Sequence, residues 1–177
     1  MQDKQFDKAI ISDTSCLIAL TNISRLETLR QLYNEIIITP EVASEYKLPL
    51  PKWIIKQPVE NRSLLTEIQK NGLDIGESSA IALAMETKNS VLILDEDRAR
   101  NYALKKGLTI IGTITIIGNA CDKGYIDSYE KTCEALRKVN FRFTQKIQDE
   151  VRKNTLDNKS NQKHENGANR PSRGKHR

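Results

Sequence analysis

Four short apolar runs, each leading into a segment of helical spacing, constrain this chain more than any other feature. They are KAII (8–11), EIIIT (35–39), SVLIL (90–94) and LTIIG (108–112). Runs of this length suit strands, and SVLIL, with no polar alternation, reads as a strand buried on both faces. Helix-period segments separate them. One carries Leu17, Ile18 and Leu20, and LETLRQLY forms a second. EVASEY starts behind Pro40, a residue suited to the first turn of a helix. SLLTEIQK stops at Gly72, and GESSAIALAMETK is a strong helix. DRARNYALKKG closes on a glycine past two lysines, a helix C-terminal signature. TITIIGNACDKG, SYEKTCEALRKV and TQKIQDEVRK complete the set, while the proline-rich KLPLPKWIIKQP reads as loop with at most a short strand at Trp53–Ile55. Strands that alternate with helices build a parallel sheet covered on both faces, so the expected fold is an α/β three-layer domain.

A length of 177 residues allows one such domain and a tail. The net charge of +5 comes from the chain's end, where residues 152–177 hold eight Lys/Arg and two acids. The expected division is a domain over 1–151 and a disordered basic tail over 152–177, polar and punctuated by Gly and Pro. Such a tail either attracts RNA or DNA or only keeps the chain soluble. No apolar run nears the ~20 residues of a membrane span, and MQDKQFDKAI lacks the apolar stretch of a secretory signal. Cys16, Cys121 and Cys133 are odd in number with no C-x-x-C spacing. That argues against a disulfide framework or a zinc site and fits a reducing cytoplasm. Both histidines lie near the C-terminus, which excludes histidine-based catalysis in the core.

Ligands of open parallel sheets gather beyond the C-terminal strand ends, and two strands here end in an acid: AIIS leads to Asp13, VLIL to Asp95. Asp13, Thr14 and Ser15 all make good helix caps. With three candidates for one cap, Asp13, nearest the strand, is read as the functional acid. Glu77 keeps two readings. The run DIGE (74–77) has capping-box spacing, yet Glu77 shares a helical stripe with Ala80, Ile81 and Ala84, where a carboxylate needs a partner or a cation. Glu45, on a short helix, reads from composition as solvent-facing. Asp95, Glu96 and Asp97 stand in a row. A helix start with Asp97 as cap accounts for one of them, and a neutralising Arg98 or Arg100 for a second. With Asp13 and Glu77 added, several carboxylates converge on one sheet edge without histidine or cysteine, a donor set that suits Mg²⁺ or Mn²⁺ rather than zinc or copper. Trp53 is a candidate stacking platform for a base, with ordinary packing the favoured reading.

The motifs add a resemblance. IISDTSCLIAL resembles the strand–Asp–Thr/Ser–Ser opening of PIN domains, the nuclease fold of many prokaryotic toxins (the VapC-like group) and of some RNA-processing enzymes. TPEVASE is similar to the Pro-x-Val-x-x-Glu segment that supplies the family's second acid, which points to Glu45. GESSAIALA followed by LILD matches the spacing of the third and fourth acids, Glu77 and Asp95. GTITIIGNACDKGYI and NFRFT resemble segments of an uncharacterised toxin-like branch in which glutamate replaces the commoner aspartate at the third acid. The resemblance covers residues 9 to 150. Its motifs are short, and their order and spacing together are specific.

The resemblance implies a three-layer PIN-like fold with a parallel four- or five-stranded sheet, an acidic pocket holding Mg²⁺ or Mn²⁺, and endonucleolytic cleavage of RNA. It makes Asp13 and Asp95 direct metal ligands, and Glu77 a ligand or the residue that orients the attacking water. Glu45 and Asp97 act through water or complete a second metal's shell. Asp97 is taken as the fifth acid because it stands two positions beyond Asp95; Glu96 is also within reach. Ser15 supports the site by a hydrogen bond. Arg98, Arg100 and Thr113 are candidates to contact substrate phosphate, with a surface ion pair or helix cap the favoured role of each. The implied role is the toxin of a type II toxin–antitoxin pair, with RNA, a small antitoxin protein and a second copy in a homodimer as partners. The alternative is a PIN-like module that binds RNA or protein without turnover, against which the near-complete acid set argues. A phosphotransferase of haloacid-dehalogenase type would need Asp where Ser15 stands, and one of receiver type an acidic pair that KQFDKAIIS does not supply convincingly.

Overall fold

The apolar runs pair side by side, all parallel, in the computed structural model, which describes residues 8–155. Five strands, β1 (Ala9–Ser12), β2 (Ile36–Ile38), β3 (Ile54–Lys56), β4 (Ser90–Ile93) and β5 (Ile110–Ile111), form one sheet in the order β3-β2-β1-β4-β5. Ile10 and Ile11 of β1 and the run Val91–Leu94 are buried at successive positions, which requires cover on both faces of the sheet. β3 begins one residue later than expected. Trp53 gives its carbonyl to Ile36 N at 3.1 Å while its side chain packs half-buried against the core, the packing reading of that residue. β5 shrinks to two half-buried residues because α7 starts at once behind it.

The flanking helices are α1 (Thr14–Asn22), α2 (Glu27–Tyr33), α3 (Pro40–Tyr46), α4 (Arg62–Gln69), α5 (Ile75–Glu86), α6 (Asp97–Lys105), α7 (Thr113–Asp122) and α8 (Tyr129–Lys138), with residues 145–155 as α9. α5 packs on β1 and β4 with α3 and α4 beside it, and α7 packs on α2 and α8. Nearly every side of α5 is buried, from Gly76 and then Ser78 to Ala84. Its alanines and serines keep the helix thin enough to lie deep in the molecule, as expected of a helix apolar all round. α9 rests on α7, where a Cβ at Gly118 would stand 2.5 Å from Val151 Cγ1. The helix runs past residue 151 and buries Thr155; residues 156–177 of the expected tail lie outside the described residues. No helix among the described residues is long and apolar enough to cross a membrane.

The chain steps from central β1 to β2 and β3 on one side and to β4 and β5 on the other. The β1–β4 boundary is therefore a topological switch point, beyond whose C-terminal ends ligands bind in such sheets. Ser12 pairs with Ile93 in the ladder, and Asp13 N donates to Ile93 O at 3.2 Å. Register alone thus brings the residues after the two strands, Asp13 and Asp95, to the same edge.

Candidate active site

Asp13 is the deepest acid of that edge, with 1% of its surface exposed. It caps α1, its Oδ1 accepting from Cys16 N at 3.4 Å, while its Oδ2 is buried without a hydrogen-bond partner. The cap uses one oxygen and leaves the other without a protein donor. Burial, then the nearby charge of Asp95, raise the Asp13 carboxyl well above its ordinary range, with Glu77 and Asp74 adding to the repulsion.

Asp95 extends β4 by two residues and is gripped at the start of α7. Thr113 N donates to its Oδ1 at 2.8 Å, and Thr113 Oγ1 to its Oδ2 at 2.6 Å. Gly112 leaves room for this grip, since a Cβ there would stand 3.2 Å from Asp95 Oδ1. Burial raises the Asp95 carboxyl too, against the opposing pull of the Thr113 bonds and of the Arg100 charge. Those donors stabilise the charged form of Asp95 and have no equal around Asp13. Cys16, buried behind both, has its thiol pushed well up by burial and the charge of Asp95, which makes it core rather than nucleophile.

Glu77 shows the local features of both readings, the capping box and the place on the apolar stripe. It closes a capping box with Asp74, whose Oδ1 accepts from Glu77 N at 2.7 Å while Glu77 Oε2 accepts from Asp74 N at 3.2 Å. It also stands half-buried on the stripe of Ala80, Ile81 and Ala84, all buried. Burial and the charge of Asp74, then those of Glu96 and Glu45, push its carboxyl up to about 7. Glu45 is half-buried, not solvent-facing as its short helix suggested. Its Oε2 accepts from Thr14 Oγ1 at 2.6 Å and its Oε1 from Gly76 N at 3.1 Å. An open pocket of about 490 Å³, lined by Glu41, Ser44, Glu45, Lys47 and Ile75, lies beside it.

The acids after Asp95 divide differently from expectation. The cap of α6 is Glu96, whose Oε2 accepts from Ala99 N at 2.8 Å, and not Asp97. Glu96 is the last residue with extended backbone and Asp97 already turns helically, and a cap must be the former. Both are exposed, Asp97 at the first position of α6, and Glu96 is the one whose charge reaches Glu77. Ser15 is exposed on the first turn of α1.

The three residues considered for substrate phosphate are engaged within the chain. Arg98 Nη1 donates to Gly72 O at 3.0 Å, which ties the α6 start to the turn before α5. Arg100 Nη1 donates to Leu94 O at 2.7 Å and holds the peptide leading into Asp95. Thr113 is fully buried under its two bonds to Asp95.

Asp13 therefore feels the charges of Asp95 and Glu77, and Glu77 those of Glu96 and Glu45. Among the described residues no three His, Cys, Asp or Glu side chains converge closely enough to enclose an ion by themselves. The donor set still fits a hard cation. An orphaned buried carboxylate oxygen beside a second carboxylate is a strong demand for positive charge, and Mg²⁺ is held by one or two carboxylates with water and substrate oxygens filling its shell. Residue spacing gives no sign of Thr14 and Gly76, which reach Glu45 across 31 positions; Thr14 stands out in the sequence only as a rival cap.

No curated protein and no solved structure matches this chain. The family model DUF3368, a PIN domain, matches residues 9–156, which takes in the whole described fold except Lys8. The match spans most of the 177 residues, and the chain belongs to the PIN-domain family.

Proposed function

We propose that this PIN domain is an endoribonuclease dependent on Mg²⁺ or Mn²⁺, with Asp13 and Asp95 as the cation's protein ligands. PIN domains are nucleases; the choice of RNA, of these cations and of these ligands is the reading favoured here. The observation that carries it is Asp13 Oδ2, buried without a partner next to a second carboxylate. When bound, the cation lowers the pKa of a coordinated water and polarises the phosphoryl oxygen. The residues do the rest. Asp13 would hold the cation through Oδ2, the oxygen without a protein donor. Thr113 and Arg100 keep Asp95 oriented and charged. Glu77, at about 7, accepts a proton from the attacking water at Oε1, the oxygen not engaged with Asp74. Glu96 rather than Asp97 is the fifth acid, acting on Glu77 by charge. Hydrolysis then needs no protein nucleophile, which agrees with the described residues of the site offering neither histidine nor an activated thiol.

The biological role we assign is that of toxin in a type II toxin–antitoxin pair, acting in the cytoplasm as a homodimer and restrained by a small antitoxin protein. The basic terminal segment, eight Lys/Arg over residues 152–177, adds electrostatic attraction to RNA.

The test is cleavage of a mixed-sequence RNA by purified protein with Mn²⁺ or Mg²⁺. Cleavage is expected to stop with EDTA and to fall by about 10²-fold or more in Asp13→Asn and Asp95→Asn, both folded by circular dichroism. Parental rates in both variants would overturn the ligand assignment. No cleavage together with no metal binding by calorimetry would favour the RNA- or protein-binding module. Growth arrest on expression, relieved by the product of an adjacent gene, tests the toxin role.

A further inference from the structure

The neighbours of two site acids converge on a third. Thr14 follows Asp13, and Gly76 precedes Glu77. Thr14 Oγ1 donates to Glu45 Oε2 at 2.6 Å and Gly76 N donates to Glu45 Oε1 at 3.1 Å, so both oxygens of Glu45 are engaged by protein donors. The first bond is short and charge-assisted, the stronger class of hydrogen bond. The second satisfies one of the amides that a helix start leaves without an intrahelical partner, at the end of α5 where the helix dipole favours a carboxylate. Gly76 is required for space: a Cβ at residue 76 would overlap the Glu45 carboxylate. The glutamate fills the place of the missing side chain.

We propose that Glu45 is a positioning residue. Its carboxylate ties the start of α1 to the start of α5 through Thr14 and Gly76, and so holds Glu77 beside Asp13 instead of holding a cation itself. Thr14, with no role in the motif reading beyond that of a rival cap, becomes the second member of this tether. An ion approaching Glu45 would have to compete with both donors for the same oxygens. The inference rests on the nuclease reading only for what Glu77 is held to do.

Four variants separate a tether from a ligand. Glu45→Gln removes the charge but keeps an acceptor for Gly76 N and turns its amide group towards Thr14 Oγ1. Glu45→Ala removes the bridge. Thr14→Val removes the hydroxyl, and Thr14→Ser restores it. Each is measured by thermal unfolding in EDTA, by calorimetric titration with Mn²⁺, and by RNA cleavage. Glu45→Gln is expected to unfold within about 2 °C of the parent and to bind Mn²⁺ within about threefold. Glu45→Ala and Thr14→Val should unfold several degrees lower and bind Mn²⁺ about tenfold more weakly, the usual consequence of removing support behind a metal ligand. Thr14→Ser should recover both properties along with kcat. A Glu45→Gln protein that unfolds like the parent yet binds Mn²⁺ tenfold or more weakly overturns the proposal and makes Glu45 a ligand. Parental unfolding and affinity in Glu45→Ala also overturn it, because the tether then holds nothing. If the parent itself neither binds Mn²⁺ nor cleaves RNA, the nuclease reading fails, and the unfolding series in EDTA still decides whether Glu45 bridges the two helices.

Discussion

At the scale of single residues, the site holds charge where the fold would be better off without it. Asparagine at position 13 keeps an acceptor for Cys16 N and offers an amide donor towards Asp95. At about pH 8 in EDTA, Asp13→Asn is therefore expected to unfold roughly 2–4 °C above the parent, equivalent to about 1 kcal/mol, while losing cleavage. Differential scanning calorimetry checks the first and an RNA cleavage assay the second. Glu77 makes a second residue-level prediction. Its carboxyl lies at about 7 in the folded chain against an ordinary 4.5. Between those values the folded protein retains a proton that the unfolded chain has released, so stability falls as pH rises through this window and levels off above about 7. Asp13 and Asp95, raised as well, act in the same direction. Urea unfolding in EDTA across this range should show the decline, and Glu77→Gln should flatten part of it.

At the scale of elements, close approaches between helices set the site's outer frame. Gly118 is the point where α7 accepts Val151 of α9, and a Cβ there would leave 2.5 Å to Val151 Cγ1. Gly118→Ala is expected to destabilise by about 1–3 kcal/mol, the usual range for overpacking. Gly118→Ala/Val151→Ala should recover most of that loss by making room, measured as unfolding midpoints in urea. The same α7 presents Thr113 to Asp95 from its first turn, so a displaced α7 should weaken the cation site as well as the fold. α9 continues to residue 155 with Thr155 buried. A truncation meant to remove only the basic segment should therefore keep residues through 155.

At the scale of the whole molecule, folding and cation binding are linked. The sheet brings Asp13 and Asp95 together only when folded, so the cation site proposed there would exist in the native state and not in the unfolded one. Added Mn²⁺ should raise the unfolding temperature, by the equivalent of about 2.7 kcal/mol at a hundred times the dissociation constant. EDTA should reverse the shift, and both Asp13→Asn and Asp95→Asn should abolish it. A shift of equal size in both variants would locate the cation elsewhere on the molecule.

The sequence by itself determined the parallel α/β order, because short runs such as SVLIL and the helix-period segments between them leave no other economical pairing. It also determined that Asp13 and Asp95 lie at one edge of the sheet, since an acid at the end of a buried parallel strand has only the strand-end edge to occupy. Both readings of Glu77 were legible for the same local reason, the spacing from Asp74 and along the stripe of α5. Only the tertiary structure decided which donors each acid meets. Thr113 reaches Asp95 across 18 positions, and Thr14 and Gly76 each reach Glu45 across 31. Residue periodicity records which face of a helix is apolar but not which helix it faces. Which of Glu96 and Asp97 caps α6 turned on where the extended backbone after β4 gives way to the helix, a boundary that residue spacing places only to within a residue or two.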